Sequence, residues 1–249
     1  MQLIIPSFPF RDWKYHFLLT KKCNLLHKVI STNSKLIPIC VKDYIIYNNH
    51  PNNVFINNLE NIEILDNKSK FGKYMLNFFP DNTPPTVYYN IDDEIYYNEK
   101  LISKNLIKKT NKGWSSFGVE RITYFNINEL KNHIVQTYIE NDEYFCGHFL
   151  VLNGKILNKI YFYSSYKFPN GIKKGKIIDY KITEKLVVDD SIFEKIFNDL
   201  NYSGFACSDF IIYNEKITIF EINPRPGGSL VANITYLNLF LDTLNEKLF

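Results

Sequence analysis

The segment Ile217-Thr218-Ile219-Phe220-Glu221-Ile222-Asn223-Pro224-Arg225-Pro226-Gly227-Gly228-Ser229 presents a carboxylate, a carboxamide and a guanidinium in quick succession, then breaks into Pro and Gly. Strand side chains alternate faces with a rise of about 3.3 Å per residue, so Glu221 and Asn223 share a face with their Cα atoms about 6–7 Å apart. Oxygen ligands spaced in this way hold a hard divalent cation. The chain has three arginines, Arg11, Arg121 and Arg225. A fork-shaped donor at Arg225 suits a carboxylate or a phosphate. Asp209 to Tyr213 and Ile217 to Asn223 read as a hairpin through Asn214-Glu215-Lys216. A three-residue loop pairs Tyr213 with Ile217 and sets Asp209 directly across from Glu221, with Cβ atoms about 4.5–5.5 Å apart. Asp209, Glu221 and Asn223 then make one oxygen-rich patch suited to Mg²⁺. A one-residue slip would pair Asp209 with Phe220 and break it. The plain alternative is a set of solvated polar residues ending an ordinary hairpin. Three candidate ligands converging with an arginine and a Gly-Gly-Ser turn outweigh it.

Two further stretches carry polar chemistry. From Lys109 to Gly118 a loop holds Gly113, Ser115, Ser116 and Gly118, small residues that let backbone N–H groups approach an anion, with lysine charge just before them. Trp114 and Phe117 inside it either cover a ligand or anchor the loop. Alone, such a loop is as often a simple turn. In Gln136-Thr137-Tyr138-Ile139-Glu140-Asn141-Asp142-Glu143, an extended connection offers N–H and C=O groups to a base edge and carboxylates to ribose hydroxyls. Read by itself it is equally a charged linker.

The elements that must position these residues follow from apolar patterning. Residues 1–66 read as short βα pieces: Leu3-Ile4-Ile5 opens a strand, and Leu36 to Val41 is an apolar run whose Pro38 suits a sheet edge. Asp66-Asn67-Lys68 precedes Phe71, Tyr74, Met75, Phe78 and Phe79, a helical spacing with a cap, ended by Pro80 to Pro85. Leu106 to Lys109, Val119 to Phe125 and Val135 to Ile139 read as strands, and Asn128 caps a helix through His133. Asn153-Gly154 between two apolar runs is the strongest hairpin signal. Asp190 or Ser191 caps a helix burying Ile192, Phe193, Ile196, Phe197 and Leu200, and Leu230 to Leu248 is helical.

Bulk properties narrow the classes. A net charge of +3 over 249 residues, with lysines interspersed among acids, argues against nucleic acid as the main partner. The N-terminus lacks a basic n-region and a long apolar h-region, and no apolar run approaches the roughly 20 residues that span a bilayer. Cys23, Cys40, Cys146 and Cys207 are widely spaced, with no CxxC. Reduced, mostly buried thiols in a cytoplasmic protein are therefore expected.

Taken in order, these stations resemble the ATP-grasp superfamily of carboxylate–amine ligases. They are Asp66-Asn67-Lys68, Leu106-Ile107-Lys108-Lys109 with its Gly/Ser loop, Val135 to Ile139 followed by Glu143, Asp209-Phe210, and Phe220-Glu221-Ile222-Asn223-Pro224-Arg225. The resemblance implies an α+β ATP-grasp fold, two α+β lobes clasping ATP: a short N-terminal α/β region over 1–66, a lid lobe over 67–139 whose mobile part is 86–139, and a metal-binding catalytic lobe over 140–249. By carry-over, Lys68 and Lys109 or Lys108 would hold phosphates with Ser115 and Ser116. Gln136 and main-chain atoms of Tyr138 and Ile139 would meet adenine, and Glu143 the ribose. Asp209, Glu221 and Asn223 would hold Mg²⁺ or Mn²⁺, and Arg225 would stabilise the transferring phosphoryl group. Asn67 stands where the family often has Asp, Thr110 where it often has Pro, and Asn141 where Gly is common. The implied activity is an ADP-forming ligation of a small-molecule carboxylate, such as an amino acid or peptide, to an amine or other nucleophile through an acyl phosphate. A phosphotransferase on the same scaffold and a nucleotide-binding module without turnover are the rival readings.

Overall fold

The computed structural model describes residues 2–6, 17–25, 34–102, 104–113, 118–164 and 180–248. Among these, three sheets alternate with helices. Strands β1 (Gln2–Ile5), β2 (Cys23–Leu25) and β3 (Ser34–Leu36) form a small parallel sheet in the order β2-β1-β3. Helices α1 (Val41–Tyr47), α2 (Leu59–Asp66) and α3 (Lys68–Phe78) follow. The apolar run at Leu36 is a strand only up to that residue. Pro38 lies in the connection, and Asp43 Oδ2 accepts from the N–H groups of Ile39 and Cys40 to start α1.

The second sheet contains β4 (Thr86–Ile91), β5 (Glu94–Tyr97), β6 (Leu106–Thr110), β7 (Val119–Ile122) and β8 (His133–Thr137), in the antiparallel order β5-β4-β8-β6-β7. The helix expected from Asn128 is instead a single 3₁₀ turn, Ile127–Glu129, capped by Asn126. That turn is too short to continue because His133 already enters β8.

The third sheet is β9 (Tyr144–Leu152), β10 (Lys155–Ser164), β11 (Lys181–Thr183), β12 (Gly204–Tyr213) and β13 (Lys216–Asn223), ordered β11-β10-β9-β12-β13. Asn153 and Gly154 both take positive φ, 49° and 77°, and join β9 to β10 as the hairpin the sequence announces. Helix α4 (Ser191–Asp199) buries Ile192, Phe193, Ile196 and Phe197 against this sheet. The terminal helix is two: α5 (Gly228–Ala232) and α6 (Ile234–Leu248), separated at Asn233.

Two hydrophobic cores result among the described residues. The larger unites Leu3 and Ile5 of β1, Tyr44 of α1, Phe71 and Met75 of α3, and the inner faces of β9, β10, β12, β13 and α6. The smaller is Val87, Tyr88, Leu106, Leu130 and Val135 within the second sheet. Helix α3 runs between them: a Cβ added at Gly72 would come 2.8 Å from Ile134 Cδ1 of β8, so the small residue permits close approach to the second sheet. No helix among the described residues is long and apolar enough to cross a membrane.

Candidate active site

Hairpin β12–β13 departs from the expected register and then returns to it. The loop is two residues, Asn214 and Glu215, both at positive φ (49° and 61°), and Tyr213 pairs with Lys216 rather than Ile217. Left alone, that shift would set Asp209 against Phe220. A bulge intervenes: Phe210 pairs with Ile219, Asp209 with Glu221, and Phe220 is the extra residue. The pairing of Asp209 with Glu221 is thus reached by a tight turn plus a bulge, where a three-residue loop was expected. The I′-type twist of two positive-φ residues suits the flanking strands, and the bulge absorbs the odd residue.

Asn223 lies two residues beyond Glu221 on β13, and its Nδ2 donates to Glu221 Oε1 at 3.0 Å. Arg225 Nη2 donates to Asn223 Oδ1 at 3.1 Å. Lys68 Nζ meets Glu221 Oε2 at 2.9 Å. A continuous chain Arg225–Asn223–Glu221–Lys68 follows from these contacts. Lys68 is delivered by the N-terminus of α3, where Asn67 Oδ1 accepts from the N–H groups of Ser69 and Lys70, and Lys68 N–H donates to Asn111 C=O at 2.9 Å. Burial opposes ionisation of Glu221. The Lys68 ammonium, the Asn223 hydrogen bond and the Lys109 charge overcome it and hold the carboxyl at about 2.

Lys109 and Lys108 project to opposite faces of β6. Lys108 pairs with Glu120 of β7. Lys109 is buried, its Nζ donating to Gln136 Oε1 at 2.9 Å and lying 4.9 Å from the Phe220 ring centroid. Burial pulls its ammonium down to about 8, with Glu221 and Asp209 opposing that shift and Lys68 adding to it. Gln136 is fixed in turn by Nε2 donating to Thr86 Oγ1 at 3.3 Å. Asp209, Glu221, Asn223, Lys68, Lys109, Gln136 and Arg225 are thereby linked by register, hydrogen bonds and charge, while Lys108 faces away.

Tyr138 and Ile139 continue from β8 half-buried, with the Tyr138 N–H already donated to Asn105 C=O at 2.9 Å. Glu143 is exposed and lines an open depression with Glu140, Asn141, Asp142, Val187 and Ile212. Ser115 and Ser116, with Trp114 and Phe117 of the same loop, lie outside the described residues, as does Arg11.

Reading the sequence did not find Thr86, the bulged Phe220, or a cluster of Cys146, His148 and Cys207 beside the carboxylates. The signal available for the last was spacing: Cys207 and Asp209 are two residues apart on one strand, as are Cys146 and His148 on another.

As to cation binding, the donor set is all oxygen: Asp209 and Glu221 paired across the hairpin, Asn223 on the same face, and one carboxyl held ionised. These residues fit a hard cation such as Mg²⁺.

The ATP-grasp domain pattern matches residues 65–229, and the chain belongs to the ATP-grasp family. Among particular relatives, it is 25% identical over 197 residues to a D-alanine–D-alanine ligase of Azobacteroides pseudotrichonymphae, covering 69% of this chain and 60% of that protein. It is 29% identical over 166 residues to the same-named enzyme of Flavobacterium psychrophilum, covering 58% and 49% respectively. The chain therefore spans about half to three fifths of the length of these curated relatives. The crystal structure of D-alanine–D-alanine ligase from Bacillus anthracis superposes with a TM-score of 0.62 at 14% identity, over 99% of this chain and 96% of that one. That of phosphoribosylamine–glycine ligase from Thermotoga maritima gives a TM-score of 0.62 at 12% identity, over 99% and 76%. At such identities these structures establish the α+β ATP-grasp fold.

Proposed function

We propose that this protein is an ADP-forming ligase that activates a small carboxylate with ATP as an acyl phosphate and passes the acyl group to an amine. The observation that carries the proposal is the bulge-restored pairing of Asp209 with Glu221, in a site that also gathers Lys68 and Lys109. Phosphoryl transfer needs charge neutralisation and alignment more than covalent help from the protein. Lys68 and Lys109 provide cationic contacts for the phosphates, and Arg225 steadies the carboxylate or the transferring group. Gln136, itself anchored on Thr86, and the Tyr138–Ile139 main chain offer hydrogen bonds to adenine. Glu143, on the rim of the open depression, is the ribose acceptor. Asp209, Glu221 and Asn223 would hold Mg²⁺, which supplies Lewis-acid neutralisation of the phosphate oxygens.

Lys68 is ion-paired to Glu221 and Lys109 is hydrogen-bonded to Gln136, so phosphate and adenine would take over these internal contacts on binding. The lobe division over 1–66, 67–139 and 140–249 is part of this reading, with the second sheet as the lid that excludes water from the acyl phosphate. The two curated relatives named D-alanine–D-alanine ligase support an amino acid or a similar small molecule as substrate. ADP release measured against pooled amino acids and carboxylic acids, with hydroxylamine present, tests the proposal. Hydroxamate formation is the expected result. A stable phosphorylated alcohol without hydroxamate would make the protein a phosphotransferase instead, and ATP binding with no ADP release on any acceptor would make it a non-catalytic module.

A further inference from the structure

Strand pairing brings six polar side chains to one face of the third sheet. Cys146 of β9 is opposite Asp209 of β12, His148 is opposite Cys207, Cys207 is opposite Asn223 of β13, and Asp209 is opposite Glu221. Directly paired residues point the same way. The oxygen donors Asp209, Glu221 and Asn223 occupy one part of this face. Cys146, His148 and Cys207 occupy the part next to it, and their ligand-capable atoms all lie within 4.8 Å of one another.

From this arrangement we infer a second metal site of different chemistry: Cys146 Sγ, Cys207 Sγ and the His148 imidazole bind one thiophilic divalent ion, zinc by preference. A tetrahedral zinc with Zn–S bonds of about 2.3 Å separates two thiolates by about 3.8 Å and a thiolate from an imidazole nitrogen by about 3.6 Å. In the structure Cys146 Sγ is 3.3 Å from Cys207 Sγ and 3.6 Å from His148 Nε2. Those two pairs need shifts of no more than about half an ångström; Cys207 Sγ and the His148 ring lie within 4.8 Å of each other, and side-chain rotation on that side closes the triangle. Ser229 Oγ, 2.8 Å from His148 Nε2 and 3.9 Å from Cys146 Sγ, stands beside the fourth position. His148 and Cys207 are buried and Cys146 is half-buried, so the ion would enter from the Cys146–Ser229 side. The site is enclosed by backbone on its other side: a Cβ on Gly227 would come 2.3 Å from His148 Cε1 and 2.6 Å from Cys207 Sγ.

Softness separates the two sites. Two thiolates and an imidazole select zinc-like ions, whereas the neighbouring carboxylates and amide select magnesium-like ones. Charge balances too, since both thiol protons leave to solvent and two thiolates neutralise one divalent ion. The inference does not depend on the ligase reading. It needs only the three side chains.

The test is a titration of untagged, fully reduced, chelator-treated full-length protein with Co²⁺, followed by Zn²⁺. The expected result is a thiolate-to-cobalt charge-transfer band with tetrahedral visible bands, saturating at one equivalent and displaced stoichiometrically by zinc. Cys146→Ser and Cys207→Ser should each lose the charge-transfer intensity, while Glu221→Gln keeps it. That last variant separates this site from the carboxylate site. A wild-type protein with all four thiols titratable and no such band overturns the inference without recourse to any variant, as does a band that survives Cys146→Ser/Cys207→Ser.

Discussion

Glu221 and Lys109 hold opposite relations to their surroundings, and pH separates them. Glu221 is kept ionised down to about 2 against an ordinary 4.5, chiefly because Lys68 and Asn223 outweigh the cost of burial. A depressed carboxyl contributes stability above its unfolded value, and that contribution is lost as pH falls from about 4.5 toward 2. Glu221→Gln should lower ATP turnover at least ~100-fold, in line with removing an electrostatic group from a transfer site. It should also cost about 1–3 kcal/mol at pH 7, because Lys68 loses its partner while remaining largely buried. The stability difference from wild type, read by urea unfolding, should shrink as pH is lowered through that window. Undiminished turnover on the true substrate would refute the role. Lys109 is the reverse case, pulled down to about 8 from 10.5 by burial. Between these values the unfolded chain binds more protons than the folded one, so this group's penalty is fully present below pH 8 and is relieved as pH rises to 10.5. Lys109→Met should therefore gain on wild type in stability at pH 7 and lose that advantage by pH 10, while ATP affinity falls ~10-fold or more. A stability difference independent of pH would contradict the assignment.

At the scale of elements, the start of α3 matters most, because it aims Lys68. Asn67 caps the helix through Ser69 N–H at 3.0 Å and Lys70 N–H at 3.2 Å. Asn67→Ala should cost about 1 kcal/mol of stability by thermal unfolding. It should weaken ATP binding beyond that cost by loosening Lys68, and an unchanged affinity would show that the cap has no part in the site. This cap was legible in the sequence, since Asn67 precedes a helical spacing of Phe71, Tyr74 and Met75. The 3₁₀ turn at Ile127–Glu129 was not, because Asn128 also fits a cap and only the onset of β8 at His133 cuts the helix short. The β12–β13 turn illustrates the same limit. Asn214-Glu215-Lys216 permits either a two- or a three-residue loop, and the bulge leaves only a slip in the apolar alternation, since Ile217, Ile219 and Ile222 all enter the core and Phe220 is the odd residue between them.

For the whole molecule, the division of apolar burial into a large and a small core sets the order of local opening. The second sheet rests on the small cluster around Val87, Tyr88, Leu106 and Val135, whereas β9 and β12 sit inside the large one. Hydrogen exchange should release amides of β4, β6 and β8 before those of β9 and β12, since opening free energy follows buried apolar contact. Added nucleotide should slow exchange in β6 and β8 in particular. Equal protection in both sheets, insensitive to ATP, would argue against the second sheet as a lid. The stations of the ATP-grasp pattern, the Asn153-Gly154 hairpin, and the sharing of a face by Glu221 and Asn223 are readable from residue order, because each depends on local spacing along one strand or turn. The inward turn of Lys109 and not Lys108, the bulge that brings Asp209 opposite Glu221, and the meeting of Cys146, His148 and Cys207 emerge only in the folded chain. Those outcomes depend on which strands pair and in what register, and register is fixed by long-range packing that a single stretch of residues does not encode.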